Sequence, residues 1–175
     1  MARVIETQMV ARRNVLPDIA DLGGATAGLL AGLLMIVLSP ALSWLTGIGI
    51  WEPAKLIAAT IYGPSVTQTA GFALGPVVTG TAIHIGTSVV LGFAFGLVFH
   101  RVLHLTTDFG TPLLVGLVYG LLIFVVAYAI ALPAINPTLR GSILAPFIAQ
   151  NMVFGVSLGG FFTLLRPEPY VNTLE

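Results

Sequence analysis

The chain has 175 residues, 57% of them hydrophobic and only 8% charged, with a formal net charge of zero. Soluble domains carry about 25% charged residues, so at a mean hydropathy of +1.00 the chain reads as an integral membrane protein. Zero net charge points to no nucleic-acid partner, and the lack of cysteine excludes disulfides, thiolate metal sites and cysteine-held iron–sulfur clusters.

The polar opening, residues 1–22, has no apolar stretch beside its charges of the kind a signal peptide needs. It is expected to be a cytoplasmic N-terminal segment, with the first apolar segment a retained span. A span needs about 20 mostly apolar residues. Four segments qualify: Gly23 to Thr46, Pro76 to Val102, Thr111 to Leu132, and Ile143 to Leu165. The predicted fold is all-α, with residues 23–165 forming one compact four-helix transmembrane domain that leaves little room for an aqueous pore. Residues 166–175 are the expected cytoplasmic tail. Between the first two spans lies a less apolar stretch broken by Pro53, Gly63 and Pro64. Trp51 and Lys55 suit the headgroup region. Two readings fit Glu52 to Ile61: a short helix lying on the membrane surface, or a structured loop capping the bundle.

Orientation follows the placement of Lys and Arg. With the N-terminus inside, Arg3, Arg12, Arg13, Arg101 and Arg166 fall on the inner side, and Lys55 and Arg140 on the outer. Both termini are therefore expected in the cytoplasm.

The stretch GLLAGLL at Gly28 to Leu34 returns as GLVYGLL at Gly116 to Leu122. His84, Ser88 and Gly92 in the second span align without gaps on Asn151, Gly155 and Gly159 in the fourth. This suggests two repeated helix hairpins about an axis along the membrane normal. Every span carries glycines four apart: Gly24, Gly28 and Gly32; Gly92 and Gly96; Gly116 and Gly120; Gly155 and Gly159. Lipid tails are as apolar as leucine, so helices associate through close contact, which small residues permit. These faces are expected to pack helix on helix, within the chain or against other subunits.

His84-x3-Ser88-x3-Gly92, the run Gly116 to Leu122, Leu132-Pro133 with Asn136-Pro137, and Phe154-Gly155 together resemble a family of small four-helix bacterial inner-membrane proteins of uncharacterised function. Some members are labelled sodium:proline symporters. The resemblance spans all but the polar termini. The family often has a histidine in the fourth span where Gln150-Asn151 stand here, so a two-histidine role does not carry over. Proteins that couple sodium to proline are several times longer, with broken helices around the site, and four short spans do not supply that architecture.

His84 is the ionisable group placed within a span, about eight residues from its outer end, or roughly 12 Å deep at about 1.5 Å per residue. Asn151, Ser39 and Tyr128 come to a similar level, Gln150 is adjacent, and Ser88 shares the His84 face one turn deeper. A polar cluster of His84, Ser88, Asn151, Gln150, Tyr128 and Ser39 is expected. A functional reading makes His84 a ligand or proton carrier. The structural reading, which we prefer, makes it a neutral imidazole hydrogen-bonded to Asn151, Gln150 or Tyr128. His100 and His104 are four apart, with Asp108 one turn on, a weak metal candidate at the water interface. No metal or other cofactor is predicted. No nucleophile triad, phosphate loop or paired carboxylate stands in the sequence. The preferred reading is a non-catalytic accessory subunit in a larger, electron-transport membrane complex, with lipids and other subunits as partners. The second is a small oligomeric transporter or channel with its site at the His84 level. The third is a haem- or metal-binding membrane enzyme.

Overall fold

A computed structural model describes residues 20–105, 110–141 and 144–165. Arg3, Arg12, Arg13, Arg166, Asp108 and the expected C-terminal tail lie outside them. Helix α1 runs Ala20–Leu45, α2 Glu52–Tyr62 and α3 Leu74–Leu97. A π-helical turn, Val98–Val102, continues α3. Helix α4 spans Thr111–Val126 and continues through a second π turn, Ala127–Ala131, into Leu132–Ile135. A short α5, Pro137–Arg140, and α6, Leu144–Leu165, follow. No strand occurs among the described residues.

Four helices are long and apolar enough to cross a membrane: Leu22–Leu45, Leu74–Val102, Thr111–Ile135 and Pro146–Leu165. The third runs past the expected end at Leu132 to Ile135, because Pro133 sits in the first turn of Leu132–Ile135, where its missing N–H does not stop the helix. Large aliphatic side chains on its outside, Leu114, Val118 and Leu122 among them, are exposed, as suits a helix solvated by lipid rather than water.

The helices pair α1 with α3 and α4 with α6, and α1 also packs on α6. All nine glycines singled out above are buried. A Cβ at Gly24 would strike the Gly92 carbonyl, and one at Gly28 the Ser88 carbonyl and the Gly92 Cα. In the other pair, a Cβ at Gly116 would strike the Gly155 carbonyl and lie against the Gly159 Cα. Gly120 meets the Asn151 carbonyl and the Gly155 Cα in the same way. Backbone therefore lies on backbone in both pairs, the approach that only glycine allows.

Where the pairs meet, α1 contributes small residues and its partners contribute rings. Ala27 and Ala31 are fully buried beside Phe95, Phe99 and Phe162. Phe95 meets Phe162 edge-on at 5.4 Å and Tyr119 at 5.3 Å between ring centroids. The Tyr119 hydroxyl donates to the Leu91 carbonyl at 2.9 Å, joining α4 to α3. This core fills the half of the molecule away from α2.

Helix α2 starts with Glu52 and Pro53 in its first turn and ends at Gly63, whose φ of +78° suits a residue without a Cβ. It packs on α3: a Cβ at Gly80 would strike the Ala54 carbonyl. Tyr62 and Thr79 hydroxyls lie 3.2 Å apart. The short helix expected over Glu52 to Ile61 is present, one residue longer. It is clamped to the first turns of α3. Lys55 is held by the protein itself rather than left to solvent. Its side chain is fully buried, paired with Glu52 and donating to the Thr69 carbonyl at 2.6 Å. An ammonium taken from water needs such partners. Asn136 ties the far pair to α2: its Nδ2 donates to the Leu56 carbonyl and the Thr60 hydroxyl, both at 2.8 Å. Its Oδ1 accepts from the Leu139 N–H and caps α5.

Candidate functional site

On the α2 side of the aromatic core the two helix pairs part, and a cavity of about 430 Å³ opens between them. The expectation of little free room holds for the glycine contacts within each pair and not for the space between pairs. In the far half Phe95, Phe99 and Phe162 meet ring on ring, whereas here Trp51, Phe147 and Phe154 line an open space. The walls come from the C-terminal half of α1, the start of α2, residues 77–91 of α3, the end of α4, Leu139 of α5 and the start of α6. Pro40 lies in one wall. It has no N–H, so the Ile36 carbonyl, in the same wall, loses its ordinary helix partner. The π turn of α4 brings in Ala127.

His84, Ser88, Ser39, Gln150 and Asn151 all line this cavity. The hydrogen bonds differ from those expected. His84 does not bond Asn151, Gln150 or Tyr128. Its Nε2 lies 3.2 Å from the Gly32 carbonyl on α1, and Asn151 Nδ2 donates to the Phe147 carbonyl of its own helix at 2.8 Å. The reason is the close α1–α3 crossing: the glycine faces bring the α1 backbone within reach of the ring before any side chain of α6. A carbonyl only accepts, so Nε2 carries the proton of this bond. In the neutral ring that leaves Nδ1 as an acceptor, and it has no hydrogen-bond partner among the described residues. Ser88 donates to the His84 carbonyl at 2.8 Å. Gln150 makes no side-chain hydrogen bond among the described residues, so its amide offers both a donor and an acceptor.

Tyr128 stands apart from this group. Its ring stacks on Phe124 at 5.6 Å, with the Arg140 guanidinium 5.5 Å from its centroid, and it does not line the cavity. The helical count to Tyr128 passes through the π turn, which rotates everything after Val126 relative to an ideal helix. The premise for His100 and His104 is corrected as well. The helix stops at Val102, and His104, exposed with φ +50°, lies beyond it. The His100 ring instead packs against Phe99 and Phe162. Among the described residues no three His, Asp or Glu side chains gather as a metal site; Asp108 lies outside them.

No protein-family profile matches this chain. Neither a curated protein nor a solved structure matches it. The chemistry of the site therefore rests on its own residues. Sequence reasoning missed Ser43, Thr81 and Thr87, which also line the cavity. Thr81 and Ser88 are seven apart on α3 with His84 between them, a helical spacing that signals one polar face. Among the described residues no Asp, Glu, Lys or Arg lines the cavity. The arrangement can exchange hydrogen bonds with a bound molecule, and it offers nothing to balance a charge on one.

Proposed function

We propose that the protein is a four-span integral protein of the bacterial inner membrane, built of two repeated helix hairpins with both termini in the cytoplasm, and that it serves as a non-catalytic accessory subunit of a larger membrane complex. An electron-transport complex is the partner this reading carries forward. The like contacts of Gly28 with Ser88 and Gly92, and of Gly116 with Gly155 and Gly159, support the repeat.

The observation that carries the partner reading is Gly86. It lies mid-span in α3, exposed beside exposed Ala82 and Val90. Nothing stands within 4 Å of the position its Cβ would take. Gly80 and Gly92 on the same helix are each pressed against backbone. Glycine inside a helix costs about 1 kcal/mol relative to alanine, and nothing among the described residues requires it at position 86. A neighbouring helix approaching the bare Ala82–Gly86 face would. Gly86→Leu is expected to leave the isolated protein as stable as the parent, while the subunits that co-purify with the parent in mild detergent are lost. A complex that survives this substitution intact removes the proposal.

The cavity favours the second reading, a small oligomeric transporter or channel working at the His84 level. Against conduction through one chain stand the fully buried Phe95, Phe99 and Phe162, which fill the half beyond the cavity. A homo-oligomer with a polar path between copies would favour this reading over the first.

The orientation has its own test. Reporter fusions at the C-terminus and within the Gly47–Gly75 region are expected on opposite sides, the C-terminal one cytoplasmic. A cytoplasmic signal from the Gly47–Gly75 region reverses the orientation.

A further inference from the structure

We infer that the cavity between the helix pairs is a binding site for an uncharged amphiphile drawn from the membrane: an apolar body carrying a hydroxyl at one end. The site is independent of whether the chain works within a complex. Its volume, about 430 Å³, lies in the range of roughly 300–1,000 Å³ typical of small-molecule sites. Most of its wall is apolar, from Met35, Ile36, Leu91, Ile123, Phe147 and Phe154. Such a wall removes a hydrocarbon or ring surface from contact with water or headgroups.

The polar groups choose the rest of the ligand. The Gly32 carbonyl holds the Nε2 proton of His84, so Nδ1 offers a lone pair and calls for a donor. A hydroxyl supplies one. Gln150, free of hydrogen bonds among the described residues, supplies a donor for a carbonyl, ether or hydroxyl oxygen and an acceptor besides. The serines and threonines of the same walls can serve either role. Charge is selected against. A carboxylate, sulfate or ammonium placed here would leave water with no counter-charge among the described lining residues, and burial of an unpaired charge is strongly unfavourable. Two membrane molecules share the required chemistry, a quinol and a hydroxyl-bearing glycerolipid.

Trp51 lines the cavity, and Trp44 is largely exposed and does not. The chain has two tryptophans, so Trp44→Phe leaves Trp51 as a reporter at the site. The full chain carrying this substitution, in phosphatidylcholine nanodiscs, is titrated with four probes of one tail length. Two are uncharged, a decyl benzoquinol kept reduced and decyl glycerol ether. Two are charged, decyl sulfate and decyltrimethylammonium. A saturable change in Trp51 fluorescence is expected with an uncharged probe and not with the charged pair. Whichever uncharged probe binds more tightly identifies the source. His84→Leu and Gln150→Leu, each shown to be folded by its thermal transition, are each expected to weaken binding about five- to tenfold, the loss of one hydrogen bond. The two variants keep the test open should one of them fail to fold. Saturation by neither uncharged probe overturns the proposal. So does charged-probe binding of equal strength, or an affinity that no folded variant alters.

Discussion

Gly28→Leu and Gly120→Leu are each expected to cost about 3 kcal/mol or more of folding stability, above the usual range for an overpacked core. The ordinary penalty is moderate because side chains can shift aside. Here the obstacle is backbone. The first atom of a new side chain at Gly28 would overlap the Ser88 carbonyl and crowd the Gly92 Cα, and at Gly120 the Asn151 carbonyl and the Gly155 Cα. Relief requires moving whole helices apart. That would also strip the His84 ring of the Gly32 carbonyl, which lies one turn along from Gly28. Unfolding by denaturing detergent, followed by circular dichroism, measures the effect. Gly86→Leu is the matched control, since it adds the same side chain mid-span where nothing lies within 4 Å. Equal stability of Gly28→Leu and Gly86→Leu would mean that α1 and α3 do not cross where the structure has them.

Glu52→Gln is expected to cost about 3 kcal/mol, the lower end of the range for breaking a buried pair by removing one partner. Lys55 is fully buried and Glu52 partly so, with a side-chain exposure of 22%, which places the expected cost at that end. The Thr69 carbonyl remains as a partner of the ammonium, but a neutral carbonyl does not replace a charge. Adding Lys55→Met to Glu52→Gln is expected to recover much of the loss, because a methionine fills a similar volume and carries no charge to desolvate. The same unfolding assay reads both. A neutral single substitution would show that the ammonium reaches water, and with it that α2 stands off from α3.

The number and nature of the helices were legible in the sequence because hydrocarbon admits few solutions. A backbone that crosses it must satisfy its own hydrogen bonds, so four long apolar runs become four helices. The glycine spacing was legible for a related reason. Residues four apart share one helix face, and the structure sets all nine of these glycines against neighbouring helices. The level of His84, Ser39, Gln150 and Asn151 followed from counting along spans of known rise.

Partners did not follow from levels. Residues that share a depth still face different neighbours, and helix rotation decides which. Tyr128 shares the depth of His84 by count, yet a π turn between Val126 and Leu132 directs its ring to Phe124 and Arg140. Composition carries no sign of that turn. His84 reaches the Gly32 carbonyl instead of Asn151 because glycine faces pull α1 and α3 together before α6 comes into range.

Lys55 gives the plainest separation of the two kinds of information. The sequence alone determines that a cation stands three residues after Glu52 in a moderately apolar stretch. That pattern suits a lysine that reaches water as well as a buried one, since the long lysine stem can carry its charge outward. Only the tertiary structure decided between them, by packing α2 on α3 until no such path was left. The cavity has the same origin. Sequence determined a chain of four apolar helices with glycine-lined faces. Tertiary structure decided that the two pairs meet through aromatic rings at one end and part at the other. Contact between pairs depends on side-chain volumes summed across separate helices, and no local stretch of sequence records that sum.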